Sequence, residues 1–141
     1  MQDMERVRAF IADHHVAVLA TVTPDYLPEA AVVGIALYGD GLRLVFGTSN
    51  LSRKSQNIQT NARVALVIGW DHGKTVQYEG VASELTGSEL ETFQSSEMAH
   101  MPTVAKYLPP SVSKFFVVEP RWIKFTDVSV SPWEELELKF T

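Results

Sequence analysis

Short valine-rich runs, each closed by a turn signal, recur along most of this 141-residue chain and leave few folds open to it. Valine supplies 17 residues, and a branched side chain fits a pleated surface better than a helix. Residues 16–23 (VAVLATVT) read as a strand closed by Pro24-Asp25. Residues 29–38 read as a second, ended by the hairpin signal Gly39-Asp40-Gly41, and 42–48 as its returning partner. Residues 62–70 and 75–85 flank a second hairpin signal, Asp71-His72-Gly73-Lys74, and a last pair is expected at 113–126, interrupted by Pro120, and 133–140. Several of these runs are nearly all apolar, the pattern of strands covered on both faces, which predicts a closed barrel over an open sheet with one wet face.

Three helices are expected between the strands. Residues 3–14 carry Met4, Val7, Phe10 and Ile11 on one stripe, 52–60 (SRKSQNIQT) form a short helix, and 88–100 form the last, with Ser88 and Glu91 as a capping box and Met101-Pro102 as its stop. Neither a repeat nor a linker divides the chain, so residues 1–141 are read as one domain.

Composition removes several function classes. There is no cysteine, hence no disulfide framework, thiolate metal site or cysteine nucleophile. With 12 Lys plus Arg against 17 Asp plus Glu the net charge is −5, which argues against a nucleic-acid binder. No apolar run reaches the roughly 18 residues of a membrane span, and MQDMERVRAF is no signal peptide, so a cytoplasmic protein without a membrane partner is expected. The charge is unevenly spread, however. Residues 41–70 hold Arg43, Arg53, Lys54 and Arg63 and no acid, a local +4 that leaves −9 for the rest.

Two of those cations, Arg53 and Lys54, fall in the first turn of the expected second helix, where unpaired NH groups and the macrodipole already favour negative charge. A phosphate there would gain backbone NH donors, hydroxyls from Thr48, Ser49 or Ser52, and two charge-assisted bonds. The alternative is that both side chains turn into water and Ser52 is simply an N-cap.

The same stretch resembles the FMN-binding split barrel of the pyridoxamine 5'-phosphate oxidase superfamily. The resemblance rests on Val45-Phe46-Gly47-Thr48, Ser52-Arg53-Lys54, Asn57-Ile58-Gln59-Thr60-Asn61 leading into Ala62-Arg63-Val64-Ala65-Leu66, and Glu79-Gly80-Val81-Ala82, and it extends over about residues 5–128. It implies a mainly β fold, a six-stranded antiparallel split barrel with flanking helices. It also implies a homodimer that holds FMN between subunits and passes two electrons to a small-molecule redox substrate. Thr48, Arg53 and Lys54, with Ser49 and Ser52 beside them, take the phosphate by position, while Val32, Val33, Thr75, Gln77 and Trp122 fall where the family places the isoalloxazine ring. Thr75 stands where the oxidases tend to carry a glutamine. Those oxidases also grip a substrate phosphate with a basic, histidine-bearing C-terminal segment; Glu134-Glu135-Leu136-Glu137-Leu138-Lys139 is acidic, so the resemblance implies a related flavin or deazaflavin reductase, not a vitamin B6 oxidase. A reduced deazaflavin or haem is the alternative cofactor, and a non-catalytic binding or sensing protein the alternative function.

Other constellations carry less. His14-His15 have no third ligand at metal spacing and read as a helix end, and no metal site is expected. His72 and His100 have no visible partner. No dinucleotide-binding, P-loop or nucleophile-elbow motif occurs. Trp70, Trp122 and Trp133 could stack on a flat ligand or fill an interface, and Glu79, on one strand face with Gln77 and Thr75, is expected to pair with a neighbouring arginine.

Overall fold

The computed structural model describes residues 2–98, 101 and 113–141. Among these residues seven strands and three helices follow in the order α1 (Gln2–Ala12), β1 (Val16–Val22), β2 (Pro28–Leu37), β3 (Leu44–Ser49), α2 (Arg53–Thr60), β4 (Arg63–Ile68), β5 (Lys74–Glu84), α3 (Gly87–Ser96), β6 (Ser113–Asp127) and β7 (Glu134–Lys139). The sheet runs β3-β2-β1-β4-β5-β6-β7, all pairs antiparallel, and β3 pairs again with β6. Six strands therefore close on themselves, the expected split barrel, and β7 extends it from outside.

β6 makes this closure by serving two partners on one edge. Ser113 to Val118 pair with Ser49 to Leu44 of β3, and Trp122 to Asp127 pair with Lys139 to Glu134 of β7. Pro120, which has no NH to give a ladder, stands at the changeover. On the other edge the pairing with β5 slips between Glu79 and Gly80: Glu79 faces Trp122 and Gly80 faces Pro120, leaving Arg121 as the extra residue of a bulge. The strand thus runs through Pro120 where the sequence suggests an interruption.

The barrel interior is filled by alternate residues, among them Leu19, Ile35, Phe46, Leu66, Tyr78, Phe116 and Ile123. The Tyr78 hydroxyl, buried, donates to the Leu42 carbonyl at 2.6 Å, and burial pushes its pKa far above the ordinary phenol value. α1 closes one side with Val7 and Ile11, and its Arg6 holds Glu134 of β7 at 2.5 Å. A second apolar cluster, Val45, Leu85, Phe93, Met101, Phe115 and Val117, lies under α3. β3 and the first half of β6 are consequently covered on both faces. β1, β2 and β4 are not: Val32 is 66% and Val67 40% exposed, so the apolar runs there mark an open outer face in the single chain.

The hairpin at Asp71-His72-Gly73-Lys74 forms with positive φ at His72 and Gly73 and a Lys74 NH to Asp71 carbonyl bond of 3.2 Å, as a type I′ turn requires. The β2–β3 connection is longer than expected, with the Tyr38 NH on the Arg43 carbonyl and Arg8 donating to the Gly39 and Gly41 carbonyls. The Ser88–Glu91 capping box is corrected. The Leu85 NH is held by the Phe115 carbonyl at 2.8 Å, so the chain leaves the sheet at Thr86, which becomes the N-cap without a side-chain bond, and Ser88 falls inside the helix. The expected continuation of that helix through His100 and its stop at Pro102 lie outside the described residues.

A Cβ at Gly80 would clash with the Glu119 carbonyl and stand 2.8 Å from Val118 Cγ1. Gly80→Ala is expected to lower stability by about 1–3 kcal/mol, the cost of overpacking a site that cannot yield. Urea unfolding monitored by tryptophan fluorescence checks this, and an unchanged midpoint would remove the bulge from the list of features the barrel needs.

Candidate functional site

α2 starts where the sequence places it, and its first turn is built from short hydrogen bonds. Ser52 is the N-cap, its Oγ accepting from the Ser55 NH at 3.1 Å and from the Thr48 hydroxyl at 3.0 Å. A hydroxyl has two lone pairs and one proton, so this leaves Ser52 with only its proton to offer. Thr48, buried at the end of β3, has spent its proton on Ser52 and orients that hydroxyl. The Ser49 carbonyl accepts from the Ser52 NH at 3.1 Å, and the Ser49 Oγ from the Leu51 NH at 3.2 Å, which shapes the turn entering the helix.

The two cations differ. Arg53 ion-pairs with Glu29 of β2, whose Oε1 also accepts from Asn57 Nδ2 at 2.8 Å. Asn57, buried in α2, gives its other amide proton to Thr21 Oγ1 of β1 at 3.0 Å. Thr21, Glu29, Asn57 and Arg53 thus form one polar chain that ties α2 to the barrel. An anion is not what makes Arg53 comfortable at a helix start; Glu29 already does so. Lys54 has no ion pair among the described residues, and α2 has no acid in its first turn. Ser55 Oγ, also in that turn, is buried without a hydrogen-bond partner among the described residues. An anion at this helix start would meet the Lys54 ammonium, the Ser52 proton and the free NH groups of the first turn of α2.

The residues assigned to a flat ring occupy the outer face of the sheet, with one exception. Val32 pairs with Val18, Val18 with Val67, Val67 with Gln77 and Gln77 with Lys124, so Val32 and Gln77 lie in one continuous row of outward side chains. Thr75 shares the face, paired with Thr126, and its Oγ1 is buried with no partner. Trp122 stands one row over, beside Glu79, its indole NH donating to Glu137 of β7 at 2.7 Å. Val33 is corrected: it is 5% exposed and packs in the barrel core, because strand alternation turns it opposite to Val32, so its side chain is unavailable to anything on the outer face.

Among the other residues singled out, His14 donates from Nδ1 to the Phe10 carbonyl at 2.6 Å and stacks on that ring, a helix-end role. Trp70 and Trp133 are exposed. Glu79 does not pair with an arginine; its side chain is without an ion pair among the described residues. Glu29 and Asn57 are functional partners that the sequence does not single out as a polar pair. Their signal is a carboxylate in the otherwise apolar run PEAAVVGIAL and an amide on the buried side of a short helix.

A six-stranded barrel closed by a doubly paired strand, with a basic helix start beside it, defines the split-barrel class. The chain matches the family model for pyridoxamine 5'-phosphate oxidase over residues 4–127 and belongs to that family. It is 39% identical over 80 residues to the pyridoxine/pyridoxamine 5'-phosphate oxidase of Anaplasma marginale, a match covering 56% of this chain and 36% of that enzyme. The matched stretches span well under half the length of the curated relatives. Among solved structures, a heme binding protein from Mycobacterium smegmatis superposes with a TM-score of 0.79 at 21% identity, covering 97% of this chain and 57% of that one. A pyridoxamine 5'-phosphate oxidase-related, FMN binding protein from Nostoc punctiforme gives 0.67 at 14%, covering 99% and 94%.

Replacing Asn57 by Leu would leave Thr21 and Glu29 without their shared donor in a largely buried setting. A loss of about 1–3 kcal/mol in unfolding free energy is expected, with α2 amides exchanging faster by hydrogen–deuterium exchange. Unchanged exchange in α2 would mean that the Asn57 amide does not help to hold the helix on the barrel.

Proposed function

We propose that this chain is an FMN-binding oxidoreductase that works as a homodimer, with the cofactor between subunits. The observation that carries the reading is the cradle at the start of α2: an unpaired lysine, an N-cap hydroxyl with only its proton left and a helix N-terminus free of acid. Those groups suit the phosphate of a flavin mononucleotide, and the partnerless Thr75 hydroxyl on the outer face suits the polar edge of its ring. The name of the Nostoc punctiforme neighbour agrees with this choice. When bound, the flavin supplies the two-electron chemistry. The chain's part is to hold and shield. Lys54 and Ser52 fix the phosphate, Glu29 keeps Arg53 beside it, and the outer-face valines offer an apolar bed that excludes water from one side. A second copy of the chain is the proposed cover for the strip of Val18, Val32 and Val67, which a lone protomer leaves open, and not for the alanine row beside it. Among the described residues no helix is long and apolar enough to cross a membrane.

The Mycobacterium smegmatis neighbour supports a second reading, haem binding without turnover. The absorption spectrum of the purified protein separates the two, since flavin bands and a Soret band do not coincide. For the flavin reading, Lys54→Ala should weaken FMN at least about ten-fold while leaving riboflavin, which lacks the phosphate, nearly unchanged. Glu29→Gln removes a carboxylate from the cradle's edge and should tighten FMN relative to riboflavin. An Arg53→Ala/Lys54→Ala double variant that still purifies yellow and titrates normally would refute the phosphate assignment.

A further inference from the structure

Beside the valine strip the outer face drops into a hollow. One row across the sheet reads Val32, Val18, Val67; the next reads Ala30, Ala20, Ala65, with only methyl groups where its neighbour has branched side chains. A cavity of about 290 Å³ opens over Ala20 and Ala65 and reaches the Gly80 backbone. Its rim carries Arg63 of β4, Glu79 of β5 and Arg121, the residue that the β6 bulge inserts and turns toward the hollow. In the single chain all three side chains are exposed, and among the described residues none forms a hydrogen bond or an ion pair.

We infer that this hollow is a binding site for a small carboxylate with a flat apolar body. The volume lies at the small end of ligand pockets, room for about one ring and its substituent. A floor of two methyl groups and glycine backbone lets such a ring lie close to the sheet. Two guanidiniums at one rim present planar, paired donors that match a carboxylate. With Glu79 beside them the rim sums to +1, which suits a singly charged acid better than a doubly charged phosphate monoester. This sets the hollow apart from the α2 cradle, and the inference stands whether or not a flavin binds there.

Isothermal titration of the full chain with phenylacetate tests it, with 2-phenylethanol as the neutral body and phenyl phosphate as the dianion. Phenylacetate should bind one per chain, at least about ten-fold more tightly than the alcohol and more tightly than the phosphate. Arg63→Ala with Arg121→Ala should weaken it about ten-fold or more, and Glu79→Gln should strengthen it, a gain that misfolding cannot produce. Lys54→Ala should change nothing. Absence of binding, equal affinity for the alcohol, preference for the phosphate, or a loss that follows Lys54 and not the arginines would each overturn the assignment.

Discussion

β6 must satisfy β3 over one half of its edge and β7 over the other while keeping β5 along its opposite edge for the whole of its 15 residues. A single straight strand cannot turn from one neighbour to another without losing ladder bonds at the changeover. Pro120 removes the donor that would be lost, and Arg121 is absorbed as a bulge whose inner side only glycine at position 80 can face. Closure of the barrel, the site of α3 over Phe115 and Val117, and the attachment of β7 to α1 through Arg6 and Glu134 all hang on that arrangement. The same bulge aims Arg121 at the outer hollow, so the device that closes the fold also shapes a surface.

Polar groups are few inside the barrel wall, and their placement is informative because each costs free energy unless paired. Thr21, Glu29 and Asn57 lie where Val or Leu would fold as well on pattern alone. Their shared bonds fix the start of α2 with respect to β1 and β2 and set Arg53 against a carboxylate. The helix start is thereby divided: one cation serves the protein and the next, Lys54, faces outward unclaimed. A site that must hold a phosphate needs the second kind, and rigidity around it comes from the first.

Strands and hairpins are legible in this sequence because valine content, alternation and glycine turns all point the same way, as at His72-Gly73. The start of α2 is legible for the same reason, Ser52 being both a good N-cap and the donor beside two cations. What sequence cannot show is which face of an all-apolar strand the molecule covers. VAVLATV looks the same whether Val18 packs in a core or on an outer strip, and Val32 and Val33 differ only by one residue in a register that tertiary pairing decides. Long-range polar partners are hidden likewise: Glu29 and Asn57 are 28 residues apart, and no local pattern joins them. The expectation that Glu79 pairs with an arginine fails in register: Glu79 stands opposite Trp122 and Ala65, Arg121 is the unpaired residue of the bulge, and Arg63 lies diagonal to Glu79, opposite Val81.

The basic island of residues 41–70 resolves into four separate tasks. Arg43 stacks its guanidinium over the Tyr38 ring at 5.1 Å, a packing role next to the β2–β3 turn. Arg53 is bound by Glu29 and serves the fold. Of the four, Lys54 and Arg63 have neither an ion pair nor a ring contact among the described residues, and they lie at two different places, the start of α2 and the rim of the hollow. A local excess of +4 in an acidic chain therefore does not describe one strong anion site. It divides between two places, Arg53 and Lys54 with Glu29 at the start of α2, and Arg63 with Glu79 and Arg121, which lies outside the window, at the hollow, each summing to +1. Under the two proposals above, charge of that size suits a small anion of low charge better than a polyanion.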